Sequence, residues 1–176
     1  MKRTIRILAL LSAFFTLAGP VAAQQPAPPA AVNPLASLEW LVGKWTVTAP
    51  VPGGAAMLRE SFFEWGPNRK VLRFWSYVTP PGRERTPYVD GWYFWDPADK
   101  KIRFAYVDPG AYYEGEVSVE AGTLNHIFTG KHNDGRLTRW RYTLKNEDAG
   151  MMPTRIYAEK EGQWSEIVFL TYQKQK

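Results

Sequence analysis

From about position 44 onward, hydrophobic and polar side chains alternate with a period of two over short runs. Turn-forming residues interrupt the runs roughly every 10 to 13 positions, the signature of a meander rather than of alternating strands and helices. The pattern predicts strands over 44–49, 56–65, 70–79, 88–95, 101–107, 112–120, 123–131, 136–145, 154–160 and 164–173, about ten in all. Their connections carry recognisable turn chemistry in Gly66-Pro67-Asn68, Asp96-Pro97-Ala98-Asp99, Asp108-Pro109-Gly110, Ala121-Gly122 and Asn133-Asp134-Gly135. Short turns force antiparallel neighbours, and ten antiparallel strands in one small domain either split into a sandwich or close on themselves. Closure removes the exposed edges, so the expected fold is all-β, an antiparallel up-and-down β-barrel of about ten strands.

The alternation also assigns faces. Ile102, Phe104 and Tyr106 fall on one side of their strand, as do Leu124, His126 and Phe128, and Trp140, Tyr142 and Leu144. In Phe62-Phe63 and in Gly91-Trp92-Tyr93-Phe94-Trp95 both sides are apolar, which leaves the register of those strands open. Ahead of the strands, apolar residues at 35, 38, 40 and 41 predict one or two helical turns ending near Gly43, a short lid. Residues 24–34 hold four prolines and little to bury, and read as a flexible tether. Residues 1–23 have the form of a cleavable secretory signal: Lys2, Arg3 and Arg6, an apolar run over 7–18, and small side chains in Val21-Ala22-Ala23. The expected domain is then the barrel over 35–176, periplasmic or secreted, with no integral membrane anchor.

Charge takes its meaning from that division. The formal net charge is +5, but beyond residue 23 there remain 19 basic against 17 acidic residues, or +2. The basicity belongs mainly to the export signal and gives no footprint for nucleic acid. Absence of cysteine removes disulfides, a thiol nucleophile, thiolate metal ligation and the lipid attachment of bacterial lipoproteins.

The segment Leu38-Glu-Trp-Leu-Val-Gly-Lys-Trp45, a helix leading into Gly-x-Trp on the first strand, resembles the opening of lipocalin-like calycin barrels. Trp95-Asp96-Pro97 before a lysine-bearing turn is similar to uncharacterised exported bacterial proteins with the same opening. The resemblance implies that Trp45 plugs the barrel base beneath the helix. Nitrobindin, a ten-stranded haem-binding relative, is distantly similar, but its haem-ligating histidine lies in the closing strand. The corresponding run here, Trp164-Ser-Glu-Ile-Val-Phe-Leu-Thr-Tyr172, has none. No cofactor is therefore expected, and a haem would have to find His126 or His132 by another geometry.

Candidate chemistry points to binding more than to catalysis. His126 lies on an apolar strand face, where it reads either as a polar anchor for a ligand or as a buried neutral imidazole bonded to a neighbour. His132 fits an exposed turn, and the two histidines make no recognisable metal pair. Glu114 and Glu116 share one strand face about 7 Å apart; they could assist glycoside hydrolysis across a cleft, or form a solvated outer face. No serine sits in a nucleophile elbow. Pro52-Gly53-Gly54 has no helix after it to cradle phosphate. In Arg139-Trp140-Arg141-Tyr142 the arginines and aromatics leave opposite faces, which rules out one stacking platform, although an inward arginine face would suit an anion. Aromatic density is the most informative feature, with eight Trp, nine Tyr and nine Phe. Rings with polar tips make good ligand walls, and ten strands leave more interior room than eight. The expected ligand is a small apolar molecule, and the expected ligand-binding residues are Trp75, Tyr77, Tyr106, Tyr112, His126, Trp140 and Tyr142. Two other readings are an envelope-protein docking module using the aromatics from Trp92 to Trp95, and a calycin-type enzyme for which no catalytic set can be named.

Overall fold

A computed structural model describes residues 33–50, 55–147 and 150–176. The signal sequence expected over 1–23, nearly all of the 24–34 tether and the Pro52-Gly53-Gly54 turn lie outside these residues. Ten strands follow one another: β1 (Gly43–Pro50), β2 (Ala56–Trp65), β3 (Val71–Thr79), β4 (Thr86–Asp96), β5 (Lys101–Asp108), β6 (Ala111–Glu120), β7 (Thr123–His132), β8 (Leu137–Lys145), β9 (Met151–Lys160) and β10 (Gln163–Lys174). Each pairs antiparallel with its sequence neighbours, and β10 returns to β1, so the sheet is a closed up-and-down barrel.

Two strands reach past the expected limits at prolines. β9 starts before Pro153, which is tolerated because its ladder with β8 begins only at Thr154. β4 starts before Pro87, which sits opposite an irregularity between Ser76 and Tyr77 of β3.

The expected lid is a 3-10 helix, Ala36–Leu41, rather than an α-helix. Its apolar residues explain the choice: Leu35, Leu38 and Leu41 are three apart, the spacing that eclipses side chains at three residues per turn. All three are fully buried across one end of the barrel, together with Trp45. The Trp45 indole Nε1 donates to the Leu41 carbonyl at 2.6 Å, and Trp40 meets its ring edge-on at 6.1 Å. Gly43 makes the turn from helix to strand at a φ of 119°, a region closed to other residues. Leu72, Tyr93, Ile102, Val117, Leu124, Leu144 and Met152, one level further in, complete a packed base.

The outer wall is laced with ion pairs. Glu114 binds Lys131 at 2.5 Å and Glu116 binds Lys101 at 2.6 Å, so both carboxylates are on the outer face, held below their usual pKa by those lysines. Glu60 is bound by Lys44 and Arg85, each at 2.6 Å.

The β1–β10 closure is short. Only Trp45↔Lys174 and Thr46↔Gln173 are paired, whereas β9 and β10 share ten paired positions across a bulge between Glu166 and Val168. Three bonds lock the short seam: Gln175 N to Lys44 O at 2.8 Å, Gln175 Nε2 to Thr46 Oγ1 at 2.8 Å, and Lys174 Nζ to Trp40 O at 3.0 Å.

The hairpin between β6 and β7 turns at Ala121 (φ 45°) and Gly122 (φ 77°), positive at both central positions as the twist of a two-residue turn requires. Alanine is strained there, whereas asparagine enters this region readily. Ala121→Asn is expected to stabilise the fold by about 1 kcal/mol, read as a rise of about 2–4 °C in melting temperature.

Candidate functional site

Next to the packed base the strands enclose a cavity of about 320 Å³. Its phase on each strand follows from the buried residues. Arg59, Ser61 and Phe63 face inward from β2, Phe74 and Ser76 from β3, Val89 and Tyr93 from β4, and Phe104, Tyr106 and Asp108 from β5. Room for these rings comes from Gly91, on the inward face of β4. A Cβ there would lie 2.5 Å from the Ala105 carbonyl oxygen and 2.7 Å from Phe74 Cζ. The aromatics interlock around the wall, with Phe74 and Tyr93 at 5.1 Å, Phe104 and Phe128 edge-on at 5.2 Å, and Tyr106 stacked on Tyr113 at 4.4 Å.

At the floor lies one polar pair. His126 is fully buried, with Nδ1 3.1 Å from the Tyr142 carbonyl and Nε2 3.0 Å from the Tyr93 hydroxyl. A carbonyl can only accept, so Nδ1 carries the proton and Nε2 accepts from the Tyr93 O–H. Burial drives the imidazole pKa down to about 4, which keeps it neutral. Desolvation likewise raises the phenols of Tyr93, Tyr106 and Tyr142, and pushes Tyr113 up to about 12. These shifts all favour the uncharged form. The floor and walls therefore offer hydrogen bonds and aromatic faces in a medium of low polarity. An iron at His126 would have to displace the Tyr93 hydroxyl from Nε2. His132 is committed as well, with Nε2 2.9 Å from Thr138 Oγ1 and Nδ1 3.4 Å from an Arg136 guanidinium nitrogen.

Of the expected ligand-binding residues, Tyr106, His126, Trp140 and Tyr142 line the cavity. Trp75 borders it, but its ring stacks on Phe62 at 5.3 Å with the Arg73 guanidinium 5.2 Å from its centroid, on the outer face. Tyr77 and Tyr112 do not line the cavity. Tyr77 packs against the Arg85 guanidinium at 3.5 Å, and Tyr112 donates to Glu114 at 3.0 Å on the outer wall. In the aromatic run of β4, Trp92 and Phe94 face outward while Tyr93 is buried and Trp95 packs against the core, so a docking patch could use only the first two. Arg141 also points outward, over Tyr157 at 4.1 Å.

Sequence reasoning missed Tyr93, Tyr172 and Arg59. Only the phase of β2 could have revealed the arginine: once Phe63 is placed inward, Ser61 and Arg59 must follow it, but the adjacent Phe62 is an equally apolar competitor for the inner face.

No protein-family model matches the chain, and no curated protein does. Among solved structures, the crystal structure of Rv2717c from M. tuberculosis superposes on it with a TM-score of 0.55 at 14% identity, over 82% of this chain and 99% of that one. At that identity the likeness concerns the fold alone.

Proposed function

We propose that this barrel binds a small, largely apolar molecule in its interior, outside the cytoplasm, with tyrosine hydroxyls and the His126–Tyr93 pair orienting it. The observation that carries this reading is the cavity itself, about 320 Å³ of aromatic-walled space beside a packed core. That volume falls at the lower end of small-molecule pockets, roughly 300–1,000 Å³, and a few placed polar groups among apolar walls are what such pockets use. The order of short helix, Gly-x-Trp and closed meander supports kinship with calycin barrels as part of the proposal.

The test is native mass spectrometry of protein purified from its own envelope, together with titration by the neutral dye N-phenyl-1-naphthylamine. A retained mass beyond the polypeptide, or saturable dye fluorescence at one site per chain, is the expected result. A chain that carries nothing and leaves the dye dark would overturn the reading, and a Soret band on the retained species would redirect it to haem.

A further inference from the structure

The barrel wall is not evenly paired. Extending the β1–β10 register past Thr46↔Gln173 would set Val47 against Tyr172, Thr48 against Thr171, Ala49 against Leu170 and Pro50 against Phe169, yet none of these is paired. Beyond Phe169, β10 runs back to Gln163, past the last residue of β1. From Gln163 to Tyr172 the ladder of β10 is therefore with β9 alone among the described residues. An edge of this kind presents a row of free N–H and C=O groups. Two features place it on the cavity. β1 contributes no lining residue, whereas the strands on either side of it do, through Ser61 and Phe63 of β2 and Ile167, Val168 and Tyr172 of β10. The second feature is Ile167, which is 52% exposed and is the one lining residue among those described that is open to solvent. It stands near the middle of β10, so this exposure runs through the wall and not over a rim. The register shift between Glu166 and Val168 leaves Ile167 without a partner on β9, and a bulge of this kind bends its strand and re-aims a side chain.

We infer that the ligand enters and leaves sideways, along the unpaired edge of β10, through an aliphatic portal whose gatepost is Ile167. Its other walls are Val168 and Ile156, which pair with each other across β10 and β9 and both line the cavity. The charged neighbours on these two strands, Glu166 and Arg155, are bound to each other at 2.6 Å. A charged group crossing the portal would shed its water with no partner to replace it, so the passage favours neutral, apolar molecules.

This inference rests on the proposed binding role, and the experiment separates the two. The chain has no cysteine, so Ile167→Cys carries a single thiol at an exposed position. Stopped-flow fluorescence follows N-phenyl-1-naphthylamine entering and leaving this variant, with the thiol free and with it coupled to a polyethylene glycol maleimide. The adduct is expected to slow association and dissociation together, by roughly tenfold each, and to leave the equilibrium affinity nearly unchanged, because it obstructs the path and not the bound state. Val107→Cys with the same adduct is the control, since Val107 is 47% exposed on β5 and does not line the cavity; its exchange rates should not change. Equal rates for free and coupled Ile167→Cys, or equal slowing at position 107, would overturn the portal while leaving binding intact. Failure of the unmodified protein to bind the dye would instead sink the binding role. Amide hydrogen exchange on the wild-type chain decides the portal without any dye: alternate amides of β10 between Gln163 and Leu170, those turned toward β1, must exchange faster than those turned toward β9. Equal protection on the two sides refutes the inference.

Discussion

Between pH 7 and pH 4 the unfolding free energy is expected to fall by about 3 kcal/mol, with the decline starting near pH 6.5 and His126 as its source. The folded pKa of about 4 lies below the ordinary value of 6.5. Within that interval the unfolded chain takes up a proton that the buried imidazole refuses, so acid favours unfolding. The carboxylates of Glu60, Glu114 and Glu116 act elsewhere. Their pKa values are lowered from 4.5 by partner lysines and arginines, and their contributions disappear only below that value. The window from 6.5 to 4.5 therefore isolates the histidine. Urea midpoints of the wild type and of His126→Phe across this range are the measurement. The variant should start lower by about 2–4 kcal/mol at pH 7, because the Tyr93 hydroxyl and Tyr142 carbonyl lose their partners, and should show no slope in the window. A slope that survived the substitution would remove His126 as its cause.

Trp45→Ala is expected to cost about 3–5 kcal/mol, the range for deleting a fully buried large aromatic side chain. The residue is 1% exposed, anchors the helix through Leu41 O, and stands at the closure of β1 on β10. Three consequences of one deletion coincide: a void at the base, a helix without its anchor, and a loosened seam. Chemical denaturation of Trp45→Ala and Trp45→Phe tests this, with Phe expected to retain more than half of the lost stability. A loss under 1 kcal/mol for the alanine variant would show that the base is sealed without the indole.

The architecture was legible because its turns are local. Asp96, Asp108 and Asp134 each bond a backbone amide two residues on, and those Asx turns separate the strands in the sequence as they do in space. The faces of β5, β7 and β8 were legible for the same reason, since a period of two with one polar side has one reading. β2 to β4 resisted because both of their faces are aromatic. Phe62, Trp75 and Tyr77 pack with Arg85 and Arg73 outside, while Phe63 and Phe74 pack inside, and alternation cannot rank two apolar faces. An inward glycine at 91 and an inward arginine at 59 then violate the binary pattern, each for a reason that exists only in three dimensions: one makes room for Phe74 and Tyr106, the other faces a cavity.

The brief closure between β1 and β10 bears on how this molecule acquires its shape. Nine of the ten strand contacts join sequence neighbours and can form as hairpins on short loops. The tenth joins Trp45 and Thr46 to Lys174 and Gln173, nearly the whole length of the barrel away in sequence, and is rewarded by two pairs and a few side-chain bonds. Loop-closure entropy makes such a contact late in folding and early in opening. The barrel is thus a curled nine-hairpin ribbon fastened by a small clasp. The expected lowest excursion from the native state is an unclasped ribbon with the interior exposed along one side.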